Sequence, residues 1–366
     1  MWWQRIARAR RRFDASGAIV PGCAIAVLSP IPSLAATRTV PFPVTANEAV
    51  AADTPSAETR VAAVEGRRGG VAMILDTRRT RGRMPNFLVI GAMKGGTTAM
   101  YRYLQAHPDV FMPPVKALEF FVAEANWRRG PQWYRRQFAG AGSNEVAVGE
   151  ASNAYTKYPR FMGVPERIAA QIPDVRMVYV VRDPIDRIRS HYQTRVWQGD
   201  ERAPIERAVI DDRRYLDYSR YWFQLQRYLQ WFSPEQFLVV TTERLRNARI
   251  ETLRLVYDFL DIDSTMIPDN VEREFYRSGD HPSSSLVPLK VRKALKRHVP
   301  AAKRAKELEN RIFQVLNTAR GERSAPPRPP IAMPSAVRDR LVSMLQEDVR
   351  GLRAFVGPEI DGWGIA

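Results

Sequence analysis

The chain has 366 residues, enough for one large domain or two smaller ones around a sizeable core. Its formal net charge of +17 suits phosphate-bearing ligands, and by itself suits nucleic acid or an acidic membrane equally well. A single cysteine, Cys23, excludes an internal disulfide. The four histidines, at 107, 191, 281 and 298, have no zinc-binding spacing, and no apolar run approaches the ~20 residues of a membrane span.

Residues 1–83 are a different kind of sequence: no lysine, many arginines and alanines, scattered prolines and little periodicity. Arg5, Arg8 and Arg10–Arg12 ahead of an apolar stretch loosely imitate a secretory signal, but Pro21, Pro30 and Pro32 interrupt it. The expectation is a disordered or spurious extension over 1–83 and one folded domain over 84–366.

That domain opens on Pro85–Tyr103, PNFLVIGAMKGGTTAMYRY. Phe87-Leu88-Val89-Ile90 reads as a short buried strand, broken at Gly91. The chain then passes through Lys94-Gly95-Gly96-Thr97-Thr98 and resumes with helical spacing. A strand, a glycine turn and a helix start present unpaired backbone N–H groups and a positive dipole end to an anion. Lys94 adds a charge, and the two threonines add hydroxyl donors. A turn serving only strand-to-helix packing would leave these three side chains incidental. The loop is not a Walker A motif, in which Gly-Lys closes the loop, because here the lysine precedes the glycine pair.

Asp109–Met112 reads as a brief extended piece. Lys116-Ala117-Leu118-Glu119-Phe120-Phe121 follows, where a lysine and a carboxylate precede two aromatic anchors; an amphipathic turn feeding its Phe pair to the core is an equal reading. Trp127–Phe138 has helical spacing, Val146–Glu150 reads as a second buried strand and Val164–Gln171 as a helix. Val175–Val181 is apolar and β-branched, as in a central parallel strand, and ends abruptly in Arg182-Asp183-Pro184. A helix over Ile185–Trp197 places Ser190 about two turns in. Arg182 at a strand end can contact a phosphate in bidentate fashion.

Further helices are expected over Ile205–Ile210 and Asp217–Trp231, the second carrying Tyr218, Tyr221, Trp222, Tyr228 and Trp231 as a core stripe. Phe237–Thr241 reads as a strand, Arg249–Leu260 and Ala336–Phe355 as helices, Tyr276–Leu289 as a mobile loop, Lys290–Arg320 as a basic helical stretch and 325–330 as a stiff linker. Strands alternating with helices imply an α/β fold with a central parallel sheet flanked by helices.

Two of these stretches carry a resemblance. Lys-Gly-Gly-Thr-Thr after a strand resembles the 5′-phosphosulfate loop of sulfotransferases that use 3′-phosphoadenosine 5′-phosphosulfate (PAPS). Arg182-Asp183-Pro184, then Arg187, Ser190 and Tyr192, resembles the 3′-phosphate motif of the same family in its bacterial and heparan-sulfate-type branch. The resemblance covers about Asn86 to Trp363 and implies a P-loop-like three-layer fold. It implies transfer of a sulfuryl group from PAPS to a hydroxyl or amine without a metal. A nucleic-acid partner is not expected, because much of the positive charge lies in the N-terminal arm and in 290–320, away from the two motifs, and the lack of a long apolar run gives no expectation of membrane insertion. The implied acceptor is a small molecule, carbohydrate or glycolipid, and the implied compartment is the cytoplasm.

By the same resemblance Lys94, Gly95, Gly96, Thr97 and Thr98 hold the 5′-phosphosulfate, Arg182 and Ser190 hold the 3′-phosphate, and Lys94 also stabilises charge on the leaving oxygen. The family usually places a glutamate directly after the lysine of the Lys116 loop, as the base. Alanine stands there in this chain. Glu119 is the favoured replacement; Glu150, an acceptor ionised without help, or slow turnover are the alternatives. The late string Arg277-Ser278-Gly279-Asp280-His281-Pro282 only partly echoes the family's adenine-side loop, and Ala151 follows Glu150 where heparan-type members have lysine. An atypical ATP-dependent kinase is the competing reading; it would need Mg²⁺, with Asp183 as its only obvious ligand.

Overall fold

The computed structural model describes residues 82–275 and 330–366. The expected mobile loop, the basic stretch, the linker, the late Gly-His-Pro string and nearly all of the N-terminal arm lie outside the described residues. Gly82 and Arg83 precede the expected boundary at Met84, and Arg83 already hydrogen-bonds the Glu145 carbonyl.

Five strands form one parallel sheet in the order β2-β3-β1-β4-β5: β1 (Phe87–Gly91), β2 (Val110–Phe111), β3 (Ala147–Ala151), β4 (Arg176–Val181) and β5 (Phe237–Thr241). β1, β3 and β5 are buried along their whole length, as expected of parallel strands covered on both faces. Alternation then sorts the side chains. Leu88, Ile90, Val148, Met177, Tyr179 and Val239 enter one core, and Phe87, Val89, Val178, Val180, Leu238 and Val240 enter the other.

The first core is closed by α2 (Gly130–Arg136), α3 (Val164–Gln171) and α7 (Tyr221–Tyr228). The second is closed by α1 (Thr97–Gln105) and α9 (Arg249–Leu260). A third apolar cluster joins α4 (Pro184–Trp197), α5 (Ile205–Asp211), α6 (Arg213–Asp217) and the long closing helix α10 (Ser335–Val356). The short α8 (Thr242–Asn247) follows β5 directly. The α/β three-layer expectation therefore holds.

Two expected helices are corrected. Trp127–Phe138 is a 3-10 turn over Trp127–Arg129 followed by α2, with Gly130 at φ 77 between them. Asp217–Trp231 is not one helix either: the chain breaks between α6 and α7 at Tyr218–Arg220. Ser219 at the break accepts a hydrogen bond from Arg187 Nε, and Asp348 of α10 accepts the α7 amides of Trp222 (3.1 Å) and Phe223 (2.8 Å). These tertiary partners restart the helix, which period alone could not reveal. Within the aromatic stripe, Tyr218, Tyr221 and Tyr228 are core, while Trp231 is 51% exposed.

Candidate active site

All five strands run the same way, so their C-terminal ends gather on one edge, where a parallel α/β sheet leaves its ligand crevice. β1 delivers Lys94–Thr98 there, and β4 delivers Arg182. Both loops line one cleft of about 320 Å³, together with Ser190, Thr242, Arg249 and Phe275.

The glycines are required by the packing. A Cβ on Gly95 would stand 2.5 Å from the Val180 carbonyl oxygen, so the loop can lie this close to β4 only without a side chain. Gly96, the residue before α1, has φ 93, a left-handed conformation that an L side chain disfavours. Thr242 Oγ1 lies 2.6 Å from the Gly95 carbonyl oxygen and 2.9 Å from that of Val181, pinning loop to strand end. The first turn of α1 carries no acidic residue, leaving its amide end positive.

Lys94 is held in a cationic neighbourhood. Burial, and then the charges of Arg182 and Arg187, lower its pKa from 10.5 to about 8. Arg182 is 7% exposed; its Nη2 bonds Asp186 at 3.0 Å, while its Nε is buried without a partner. Arg187 is fully buried on α4, donates to Ser219 and the Tyr215 carbonyl, and leaves Nη1 without an acceptor. Three cations thus converge at the cleft, with Asp186 paired to Arg182; Glu274 is the carboxylate among the lining residues. Such a cluster fits a ligand carrying several negative charges.

Asp183 caps α4, accepting from the Ile185 (2.8 Å) and Asp186 (3.1 Å) amides ahead of Pro184 at the first position. Both amides donate to the same oxygen, Oδ1, so one oxygen of this carboxylate is engaged in capping the helix that follows Arg182. Among the described residues no group of three or more His, Cys, Asp or Glu side chains could hold a metal ion.

The Lys116–Phe121 loop is strapped to the end of β3. The amides of Ala117, Leu118 and Glu119 donate in succession to the Ala151 carbonyl (3.1 Å), Glu150 Oε2 (3.2 Å) and Ser152 Oγ (2.9 Å). Ala117 at φ 62 and Glu119 at φ 49 are both left-handed, a strain of roughly 1–3 kcal/mol each that persists where surroundings over-determine it. Phe120 and Phe121 anchor the loop in the core: Phe120 stacks on Tyr134 at 4.3 Å, and Phe121 meets Tyr155 edge-on.

Glu150, the second carboxylate considered, is enclosed in the core and does not line the cleft. It is 1% exposed and accepts from Tyr134, Tyr155, Ser152 and the Leu118 amide. Burial pushes its carboxyl above the ordinary range, against the pull of those donors. It shapes the loop rather than facing the cleft. Glu119 is half-buried on the same loop, beside Lys116, and neither of the two is among the residues lining the cleft.

Lys116 was not among the expected cofactor ligands, yet its ammonium lies 3.4 Å from Thr97 Oγ1. Burial lowers its pKa to about 8, opposed by Glu150 and Glu119. Its lysine-carboxylate-aromatic string was the available signal. Asn153, Thr242, Arg246, Arg249 and Phe275 also line the cleft with no sequence pattern to mark them.

The chain matches the sulfotransferase domain family over residues 84–280, more than half its length, and belongs to that family. It is 31% identical over 193 residues to mouse heparan sulfate glucosamine 3-O-sulfotransferase 5, covering 49% of this chain and 54% of that protein. It is 30% identical over 208 residues to human bifunctional heparan sulfate N-deacetylase/N-sulfotransferase 3, covering 52% and 24% respectively. The chain thus spans about half or less of the curated relatives it matches. A sulfotransferase from Alicyclobacillus acidocaldarius shares the fold at TM-score 0.55 and 24% identity, covering 77% of this chain and 99% of that one.

Proposed function

We propose that the protein transfers the sulfuryl group of PAPS to a hydroxyl or amine of an acceptor, with carbohydrates and glycolipids as the acceptor class to test first. The observation that carries this reading is the convergence of the Lys94–Thr98 loop with Arg182 and Ser190 on one cationic cleft. The relatives' names, which include heparan sulfate, support a carbohydrate acceptor, and Ala151 in place of the heparan-type lysine weakens a claim to heparan sulfate itself. The cytoplasm, where a nucleotide co-substrate is available, is the proposed compartment.

In this reading the Gly95 and Gly96 backbone and the two threonine hydroxyls hold the 5′-phosphosulfate. Lys94 places its ammonium against the bridging oxygen as negative charge grows there. Arg182 and Ser190 select the 3′-phosphate. Glu119 takes the acceptor proton; its strained, strapped backbone supports a functional rather than a packing role.

The test is calorimetric binding of 3′-phosphoadenosine 5′-phosphate against ADP with Mg²⁺. Tight binding of the first alone, weakened at least tenfold in Arg182→Ala while ADP affinity stays within twofold, is expected from loss of a charge-assisted contact of about 1.5–3 kcal/mol. Preference for ADP–Mg²⁺ would establish the kinase reading instead.

A further inference from the structure

A second cavity, of about 280 Å³, lies between α3 and α7 and shares no lining residue with the nucleotide cleft. Its walls include Tyr155, Tyr158, Phe161 and Tyr228, with Arg227 and Glu166 among its charged side chains. We propose that this cavity is a binding site for a ring-bearing anion, a carboxylated or sulfated ring, held by the Arg227 guanidinium between aromatic walls. The proposal does not depend on the reaction assigned to the nucleotide cleft.

Three features of the site carry it. The first is the state of Arg227. No carboxylate pairs with it among the described residues, and its Nε is buried without an acceptor. It lies instead over the Tyr158 ring at 5.4 Å and the Phe223 ring at 5.5 Å. A cation fixed on aromatic faces keeps its charge and loses little freedom when it binds an anion. The second is the rigidity of the wall. Gln224 clamps the Tyr158 backbone from both sides, donating to its carbonyl (2.7 Å) and accepting from its amide (2.9 Å), while Tyr158 and Phe223 pack at 5.4 Å.

The third is the surrounding charge. Arg160 lies over the lining residue Phe161 at 5.3 Å, and Arg220 lies over Phe223, the ring beneath Arg227, at 4.5 Å, so two further guanidinium groups stand on rings that line or support the cavity. Glu166, exposed in the first turn of α3, is the carboxylate that lines the cavity. Aromatic faces alone would suit any flat apolar ligand. The unpaired guanidinium adds the demand for a negative charge on it.

The experiment is ligand-observed NMR titration of the full chain with benzoate and benzenesulfonate, using benzyl alcohol as the uncharged ring. Both anions are expected to bind, and the alcohol at least tenfold more weakly. Arg227→Gln removes no hydrogen bond of the described fold and is expected to weaken anion binding at least tenfold, with 3′-phosphoadenosine 5′-phosphate affinity unchanged within twofold. Glu166→Gln is expected to tighten anion binding about threefold, the opposite sign, by removing the cavity's own negative charge. Equal binding of alcohol and anions, unchanged affinity in Arg227→Gln, or displacement of benzoate by the nucleotide would each overturn the proposal.

Discussion

If the cleft holds the nucleotide as proposed, Lys94 in its lining and Lys116 beside Thr97 should make affinity depend on pH in a window where an ordinary lysine is silent. Lys94 and Lys116 both have their pKa lowered to about 8, chiefly by burial, Lys94 further by Arg182 and Arg187. The charged form predominates below that value, and an anion binds the charged form. Affinity is therefore fully present near pH 7 and is lost as pH rises through 8. With one lysine required, the protonated fraction falls about tenfold between pH 7 and 9, which is about 1.4 kcal/mol. With both required the loss approaches a hundredfold. A normal lysine, with a pKa near ~10.4, would change affinity by less than about 10% over the same span. Isothermal calorimetry with 3′-phosphoadenosine 5′-phosphate from pH 7 to 9.5 reads this directly, and binding at pH 8.5 takes up protons. Lys116→Met should leave one decade of the pH effect. Flat affinity to pH 9.5, without proton uptake, would refute the burial argument.

Gly95→Ala drives a methyl group to 2.5 Å from the Val180 carbonyl; a loss of about 1–3 kcal/mol in denaturant unfolding and a far larger loss of nucleotide binding are expected, and unchanged binding would show the loop free to shift. Glu150→Ala leaves the Tyr134 and Tyr155 hydroxyls and the Leu118 amide without their acceptor in a buried site, at about 1–3 kcal/mol per group, so thermal unfolding should show severe destabilisation. Glu119→Gln should slow sulfuryl transfer to the first acceptor found by about 10²–10⁴ with little change in melting temperature; activity within threefold of the parent removes Glu119 from the base role.

The strands and the two loops that line the cleft were legible because their signals are local. β1, Met177–Val181 of β4 and Phe237–Val240 of β5 are apolar runs of parallel-sheet type, and Lys94–Thr98 and Arg182–Ser190 follow the first two. What escaped the sequence depends on partners distant along the chain. Thr242 binds the Gly95 carbonyl across 147 residues, and Asp348 caps α7 from more than 120 residues away. Neither the α6–α7 break nor the cationic convergence beneath Lys94 has any periodic trace. The Arg227 cavity was invisible for the same reason, since α3 and α7 meet only in the fold.

The alanine at 117 is the sharpest departure from the family pattern, and the structure explains how the loop tolerates it. The backbone around Ala117 is fixed by three consecutive amides bonded to residues 150–152 and by Asn126 donating to the Leu118 carbonyl at 2.6 Å. None of these contacts uses the side chain of residue 117, so losing a carboxylate there does not release the loop. The same bonds hold Glu119 at φ 49, a conformation that a glutamate on an unconstrained turn would leave. The proposed base role of Glu119 rests on this position, two residues from the alanine on the same strapped loop. Restoring the family residue separates the two roles. Ala117→Glu should raise transfer rate in the Glu119→Gln background if the loop still presents residue 117 to the acceptor, and should leave it unchanged if the acceptor proton now leaves only by way of residue 119.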